Sequence, residues 1–370
     1  MLGSNEMQQL QDKKEQYDDI LQKDLEMIIQ DEEIMMKLKD SVFLVTGATG
    51  MIGSQIVKSL LLYNKKEQAN IRIIIVVRSK EKAERIFGSQ LQDSMLEVIC
   101  SDIQEFRLKD RKIDYIIHGA SMTGSAEFVS KPVETIKTAL FGTMNILDSA
   151  RTSGIKGMVY LSSLEVYGVT DPKKESIAEE NLGYLNPLHV RSSYSEGKRM
   201  AECICVSYAS EYNVPVKIAR LCQTFGAGVE YEDNRVFAQF ARSIIEEKDI
   251  VLHTQGMTVR NYCYTADAIR AIFYILVKGK SGEAYNVANE QTAISIRDMA
   301  ETLCQHYKHK SIQVVYQIED EEKHGYNPVV KIRLNTRKVL ELGWKPKVDL
   351  VTMYDRMIQS METRKTQFHK

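Results

Sequence analysis

A tyrosine and a lysine four residues apart, Tyr194 and Lys198 in RSSYSEGKRMAE, form a pair that could move a proton. Residues at this spacing share one face of a helix. Tyrosine, with a pKa of about 10, is a poor base at neutral pH, but a nearby ammonium favours the phenolate and lowers that pKa. The apolar run MVYLSS ends in Ser162 and Ser163, where a hydroxyl could hold a substrate oxygen while Tyr194 takes its proton. The expected chemistry is proton removal from a substrate hydroxyl.

A glycine-rich turn, VTGATGMIGS, places Gly47, Gly50 and Gly53 between a predicted strand and a predicted helix. Glycines allow a tight turn and let the pyrophosphate of a dinucleotide approach the backbone. The start of the following helix supplies free N–H groups and a partial positive charge. The strand–turn–helix context favours dinucleotide binding over a merely structural turn.

The second predicted strand ends in VVRSKEK, with Arg78 where a carboxylate would bind the ribose hydroxyls of NAD. Arg78 and the nearby Lys80 and Lys82 suit the 2′-phosphate of NADP, which favours NADP over NAD. The alternative is that these cations are simply solvated. Asp102, at the end of the third strand, is placed to meet the adenine amino group, but it could equally cap a helix.

The elements that position these residues follow from the alternation of apolar runs with helical stretches. Strands are predicted at 41–47, 71–77, 97–103, 113–120, 158–163 and 214–221, with helices near 132–152 and 193–212. Continuous apolar strands alternating with helices indicate a parallel sheet covered on both faces. The expected fold is therefore an α/β doubly wound (Rossmann) sheet with a smaller C-terminal substrate domain.

The chain divides into three predicted parts. Residues 1–40 form a helical extension, in which Leu10, Tyr17, Leu21, Leu25 and Ile28 fall near helical spacing. Residues 41–221 form the dinucleotide-binding domain, to which 258–290 return. Residues 222–257 and 291–360 form the substrate domain.

Composition excludes several classes of function. The formal net charge is −1 and no long basic cluster occurs, which argues against nucleic acid or an anionic membrane as the partner. The longest apolar runs are too short to span a bilayer, and the polar N-terminus has no apolar signal core, so that a cytoplasmic location is expected. The six cysteines are scattered and predict reduced thiols; no metal site is expected.

The ordered motifs TGATGMIG, SDI, HGAS, LSSLEVYG and YSEGK resemble the extended short-chain dehydrogenase/reductases, the NAD-dependent epimerase/dehydratase family. The resemblance covers roughly residues 41–360. Within the family the chain is most similar to UDP-glucuronate decarboxylases, through stretches such as KPVETIKTALFGTMNIL and LGWKPKVDL. It implies an NAD(P) that is reduced and reoxidised within one turnover, a nucleotide-diphosphate-sugar substrate, and a homodimer formed through two helices per subunit.

The resemblance also implies roles for single residues. Tyr194 would be the base at the sugar 4-hydroxyl with Lys198 as its partner, Ser163 would contact that hydroxyl, and Glu165 would act at C5. Further motif residues expected at the cofactor are Thr49, Met51, Ile52, Ile103 and Ala120. Those expected at the substrate are Ser121, Gln223, Arg235 and Arg260.

Three positions depart from the family pattern. Leu164 replaces the aspartate of 4,6-dehydratases and the serine of decarboxylases. Gln223 stands where an asparagine usually touches the diphosphate, and Ala139 replaces another usual asparagine. These departures leave the cofactor chemistry intact and affect which substrate the enzyme is expected to accept.

The expected reaction begins with oxidation at C4, after which three outcomes are open. Decarboxylation fits best, because a β-keto acid loses carbon dioxide without a leaving-group acid and Leu164 cannot donate a proton. A decarboxylase also needs a cation at the substrate carboxylate, for which Arg191 and Arg260 are candidates. Dehydration or epimerisation is the alternative, and an NADP-dependent carbonyl reductase is a second. A non-catalytic dinucleotide sensor is disfavoured, since a sensor has no use for a proton-transfer tyrosine.

Overall fold

A parallel sheet of seven strands forms the centre of the molecule. The computed structural model describes residues 18–108, 111–122, 124–319 and 329–368. Its strands, in chain order, are β1 (Val42–Thr46), β2 (Arg72–Val77), β3 (Leu96–Cys100), β4 (Tyr115–His118), β5 (Gly157–Ser163), β6 (Val216–Leu221), β7 (Gln223–Phe225), β8 (Ile250–Leu252), β9 (Val259–Tyr264), β10 (Ala284–Val287), β11 (Asn289–Ser295) and β12 (Val314–Tyr316). The order across the central sheet is β10-β6-β5-β4-β1-β2-β3, with every neighbouring pair parallel.

Helices cover both faces of this sheet. In chain order they are α1 (Asp19–Ile28), α2 (Glu32–Met36), α3 (Met51–Glu67), α4 (Lys80–Phe87), α5 (Ser125–Ser130), α6 (Pro132–Ser153), α7 (Ser192–Tyr212), α8 (Val236–Ile245), α9 (Thr265–Lys278), α10 (Ile296–His306), α11 (Arg337–Glu341) and α12 (Leu350–Phe368). Alternate residues of β5 belong to two separate apolar cores, with Val159 and Leu161 in one and Met158 and Tyr160 in the other. The strands read as continuous apolar runs because both of their faces are buried.

The order of the strands reverses between β1 and β4. In an open α/β sheet, ligands bind in the crevice at such a reversal, beyond the carboxyl ends of the strands. The glycine-rich turn follows β1, and Ser163 ends β5, which is the neighbour of β4. The topology therefore brings both motifs to the same edge of the sheet, and the predicted doubly wound fold is confirmed.

Two smaller sheets follow residue 222. One contains β11, β9 and β7, and the other pairs β12 with β8. Strand β10 joins β6 in the central sheet, and α9 packs on β5 and β6. The proposed domain boundaries stay a prediction.

Between residue 18, where the described part of the chain begins, and β1 lie two helices, α1 and α2, docked on the rest of the molecule. Leu25 and Ile28 are buried, as the helical spacing predicts, whereas Leu10 and Tyr17 lie outside the described residues. Helix α1 packs against α3, α9 and α12. Across the described residues, no helix is both long and apolar enough to cross a membrane, and a cytoplasmic location stays a prediction.

Candidate active site

The glycine-rich turn brings β1, α3 and the end of β4 into very close approach. Gly47 has φ +69°, and a Cβ on it would lie 2.5 Å from the carbonyl carbon of Gly119. A Cβ on Gly53 would lie 2.3 Å from the carbonyl oxygen of Gly47. These two positions require glycine because any side chain would push the strand, the turn and the helix apart.

The start of α3 leaves its backbone donors open to a ligand. Gly50 is the N-cap, it has no side chain to cap the helix, and its own N–H bonds to the Gly47 carbonyl at 3.0 Å. Thr49, Met51 and Ile52 complete this turn and are partly exposed. The free N–H groups and the cradle that a Cβ would fill fit the pyrophosphate of a dinucleotide.

The residues expected near the adenosine lie at the ends of β2 and β3. Arg78 is exposed directly after β2, while Lys80 pairs with Glu84 at 3.9 Å on α4. The Asp102 carboxylate accepts a hydrogen bond from the Gln104 backbone at 2.8 Å within a turn, and no helix begins there for it to cap. Ile103 is buried below this turn.

Tyr194 lies in the first turn of α7 and stacks on Phe128, with the ring centroids 4.2 Å apart. Burial raises the pKa of Tyr194 to about 12. A hydrogen bond with Ser163 lowers this pKa, and the charge of Glu165 raises it by a smaller amount. The net pKa of Tyr194 is therefore higher in this structure than the spacing of Tyr194 and Lys198 predicts, and the contribution of Lys198 stays a prediction. The physical reason is that desolvation of the phenolate outweighs the favourable contacts.

Lys198 lies one turn further along α7 and is almost fully buried. Its ammonium donates to the Leu161 carbonyl at 2.7 Å and lies 5.8 Å from the centre of the Tyr194 ring. Burial lowers its pKa to about 8. Nearby His118 is bonded to Thr46 and Thr143, and burial lowers its pKa to about 3, so that it stays neutral beside the ammonium.

The two serines that end β5 have different surroundings. Ser162 is buried and donates to the Glu202 carboxylate at 2.5 Å, whereas Ser163 contacts Tyr194 and accepts from the Glu165 backbone at 3.2 Å. Alternating side chains point to opposite faces of a strand, which separates the two hydroxyls. Only Ser163 faces the tyrosine.

A buried ion pair under the site was missed by the sequence reasoning. Arg220 of β6 donates to both oxygens of Glu202, at 2.7 Å for the shortest contact, and to the Tyr167 hydroxyl at 3.0 Å. Tyr167 in turn donates to Asn286 of β10 at 2.6 Å. A signal was present, because Glu202 follows Lys198 by four residues on α7 and Arg220 interrupts an apolar strand. The pair fixes α7 to the ends of β5 and β6.

Glu165 lies in the short 3-10 helix that follows Ser163. Its carboxylate is 3.4 Å from the Arg191 guanidinium and accepts from the Ser195 hydroxyl at 3.5 Å. Both charged side chains are about one-fifth exposed. Arg191 is thus paired with Glu165 rather than isolated, and together they lie beside the start of α7.

The remaining residues expected at the substrate differ in their exposure and in their hydrogen-bond partners. Arg260 on β9 has a buried Nε with no hydrogen-bond partner among the described residues, which suits a ligand anion. Gln223 begins β7, the neighbour of β9. Arg235 is half-exposed and paired with Asp233 at 2.5 Å. Ser121 bonds the adjacent Met122 carbonyl at 3.0 Å, and the backbone of the preceding Ala120 donates to Thr46 at 3.2 Å.

Two of the three departures from the family pattern, Leu164 and Ala139, are buried. Leu164 is 3% exposed and belongs to the apolar core, so its side chain contributes packing and no proton donor. Ala139 of α6 lies close to Gly197 of α7, where a Cβ on the glycine would be 3.2 Å from the alanine methyl. This small-residue contact lets α6 and α7 approach closely.

The doubly wound sheet, the dinucleotide cradle and the Ser–Tyr–Lys set define an enzyme of the short-chain dehydrogenase/reductase class. The family model described as the NAD dependent epimerase/dehydratase family matches residues 43–288. The chain belongs to this family, and its cofactor is of the NAD type. The predicted family membership is confirmed.

The chain is also similar in sequence to curated relatives and in fold to solved structures. The chain is 29% identical over 308 residues to UDP-glucuronic acid decarboxylase 6 of Arabidopsis thaliana, covering 83% of this chain and 84% of that protein. It is similar in fold to a UDP-glucose 4-epimerase from Thermotoga maritima (TM-score 0.73, 22% identity, 88% and 99% of the two chains). It is also similar to a dTDP-glucose 4,6-dehydratase from Bacillus anthracis in complex with NAD (TM-score 0.71, 22% identity, 88% and 98%).

Proposed function

We propose that the protein decarboxylates a UDP-glucuronate-like nucleotide sugar through a transient 4-keto intermediate. The observation that carries the proposal is the grouping of Tyr194, Ser163 and the Glu165–Arg191 pair at the strand ends. The names of the curated relatives support decarboxylation over the other reactions of the family.

In this mechanism, Ser163 holds the 4-hydroxyl and Tyr194 removes its proton. Bound NAD(P) would be held by the Gly47–Gly53 turn and would supply the hydride acceptor. Lys198 is close enough to stabilise the phenolate electrostatically. Arg191 holds the substrate carboxylate beside Glu165 until carbon dioxide leaves. The electron pair of the broken bond forms an enolate with the C4 ketone, C5 takes up a proton, and Tyr194 returns its proton to the 4-oxygen as that ketone is reduced again. Arg260 binds the diphosphate through its free Nε, and Gln223 lies on the neighbouring strand.

A second candidate reaction is 4,6-dehydration or epimerisation at C5. Glu165 favours it, because its carboxylate lies where a base at C5 would be needed. Dehydration also requires an acid for the departing hydroxyl, and the buried Leu164 supplies none.

The test is incubation of the purified protein with UDP-, CDP-, GDP- and dTDP-linked hexoses and hexuronic acids, followed by mass spectrometry. Loss of carbon dioxide supports decarboxylation, and loss of water means dehydration. An unchanged mass with altered retention means epimerisation. A parallel incubation with added NADPH and an aldehyde or ketone tests the carbonyl reductase, which would form NADP⁺ and the corresponding alcohol.

We propose that NADP is preferred to NAD, because Arg78 is an exposed cation where NAD enzymes place a carboxylate. Arg78→Glu is expected to weaken NADP binding about tenfold or more, the effect of losing one charged contact to a phosphate, and to leave NAD affinity nearly unchanged or improved. Isothermal calorimetry with both cofactors measures this. Arg85→Glu, an exposed change on α4, is the control. Equal loss of both cofactors would contradict the assignment.

We propose a homodimer through α6 and α7, as the family resemblance implies. These helices expose apolar side chains, Phe141 and Met144 on α6 and Met200 and Val206 on α7. Phe141→Glu is expected to raise the dimer dissociation constant by at least tenfold, because it buries a charge in the interface. Light scattering would report the mass, with Val169→Glu, an exposed change elsewhere, as the control. A wild-type monomer, or an unaltered Phe141→Glu dimer, would overturn the proposal.

A further inference from the structure

Helix α1 precedes the part of the chain that the family model matches, which begins at residue 43. It nevertheless inserts a carboxylate into the body of the protein. Asp24 is fully buried, accepts from the Tyr264 hydroxyl at 2.5 Å and from the Arg356 guanidinium at 3.1 Å. Each partner comes from a different element, β9 and α12. Buried charges need such partners, so Asp24 fixes α1 to both elements.

Tyr264 connects this anchor to the expected substrate contacts. It is the last residue of β9, the strand that carries Arg260, and it is paired in register with Phe225 of β7. Its ring lies against Gly226, where an added Cβ would be 2.6 Å from the ring. The hydrogen bond between Tyr264 and Asp24 therefore lies at the carboxyl ends of β9, which carries Arg260, and of β7, which carries Gln223.

A second carboxylate of the same segment supports the loop that follows β7. Asp18 accepts from the Ser360 hydroxyl at 2.6 Å, and Ser360 accepts from the Gly228 backbone at 3.0 Å. Gln55 of α3 also donates to the Ala227 carbonyl at 2.8 Å. Residues 226–229 are thus held between α1, α12 and the helix that begins at the dinucleotide cradle.

We propose that Asp24, assisted by Asp18, is a positioning residue that sets β7, β9 and the 226–229 loop for binding the nucleoside diphosphate part of the substrate. The inference rests on the proposed function, because it assumes that Arg260 and Gln223 meet that ligand. The N-terminal segment then has a role in substrate affinity rather than in cofactor binding, because the residues that Asp24 and Asp18 fix lie outside the glycine-rich turn.

The charge state of Asp24 makes the proposal testable by pH. The titratable groups that face it are Tyr264, Arg356 and Asp18, and burial raises its pKa to about 7. Because the pKa of Asp24 is higher in the folded state than in the unfolded state, the folded state binds this proton more tightly, and the free energy of unfolding falls progressively as pH rises from about 4 to about 7. The ionised carboxylate, in contrast, is the better acceptor for Tyr264 and Arg356. As pH rises towards 7, the free energy of unfolding is therefore expected to fall while the positioning of the 226–229 loop improves.

The experiment measures binding of UDP, dTDP, GDP and CDP to the NAD-loaded protein by calorimetry between roughly pH 6 and pH 8. For the diphosphate that binds best, Asp24→Asn is expected to raise the Kd about tenfold near pH 8 and much less near pH 6. Its melting temperature near pH 8 should be unchanged or higher, and its NAD affinity unchanged. The control is Glu26→Gln, on the same helix as Asp24, which removes an exposed pair with Lys66 of α3 and should match the wild type.

The outcomes separate the two proposals. If the wild type binds a nucleoside diphosphate but Asp24→Asn has the same Kd at both pH values, the positioning role is wrong and the proposed function stands. A higher Kd accompanied by a lower melting temperature and weaker NAD binding would mean a merely structural role, which also overturns the inference. If the wild type binds none of the four diphosphates, the proposed function fails and the inference fails with it.

Discussion

Replacing Tyr194 with phenylalanine is expected to lower turnover of the nucleotide sugar by about 10²- to 10⁴-fold, the usual contribution of a positioned acid–base group. The ring should keep its stacking on Phe128, because that contact does not use the hydroxyl. Cofactor binding should persist, since the glycine-rich turn is unaffected. Rates and NAD affinity, measured on the same preparation, test the prediction.

The direction of the pH dependence follows from the raised pKa of Tyr194. A phenol with a pKa of about 12 is ionised in about one molecule in 10⁵ at pH 7, so the active form becomes more populated as pH rises. Lys198, whose pKa is lowered to about 8, loses its charge above that pH and then supports the phenolate less. Turnover is therefore expected to rise up to about pH 8 and to rise less steeply beyond it.

Tyr212→Phe is the matched control, because Tyr212 ends the same helix about 27 Å away at 1.5 Å per residue. It should leave turnover unchanged. Near-normal turnover by Tyr194→Phe would remove Tyr194 from the mechanism. Loss of NAD binding by that variant would show instead that the tyrosine acts through the cofactor site.

The fold was predictable because its strands are buried on both faces and therefore read as apolar runs. The run at 71–77 corresponds to β2 (Arg72–Val77) almost residue for residue. Predicted strand 113–120 shortens to Tyr115–His118, because the glycine and small residues after His118 form the turn at the site. Short strands such as β7 and β8 were missed, since three residues carry no periodicity.

The site was predictable in its membership but not in its electrostatics. Spacing places Tyr194 and Lys198 on one face of α7, but it does not reveal that Lys198 donates to the Leu161 carbonyl or that burial raises the tyrosine pKa. Long-range partners were equally hidden. The pairing of Glu202 with Arg220 depends on how α7 packs on β6, and that of Asp24 with Arg356 joins residues more than three hundred positions apart.

Glu165→Gln is expected to separate oxidation at C4 from the later steps. The variant keeps the size of the side chain but removes the charge that faces Arg191 at 3.4 Å and lies near Tyr194. Proton removal at the 4-hydroxyl depends on Tyr194 and Ser163, so the first half-reaction should continue. Completion should fall by about 10²-fold or more if the carboxylate acts as a base or orients the carboxylate group of the substrate. Reduced cofactor should then accumulate, visible by its absorbance when substrate is added.

The same variant distinguishes the two ways in which Glu165 could act. If Glu165 is the base at C5, the Glu165→Gln variant should lose deuterium exchange at that carbon when the reaction is run in heavy water. If Glu165 instead orients Arg191, the variant should keep any deuterium exchange at C5 that the wild type shows. It should mainly lose affinity for hexuronic substrates, because the Arg191 guanidinium is no longer held. Glu175→Gln, an exposed change in the loop before α7, serves as the control and should behave like the wild type. Wild-type rates without accumulated reduced cofactor in Glu165→Gln would make this carboxylate structural, with its bond to Arg191 serving only to order the start of α7.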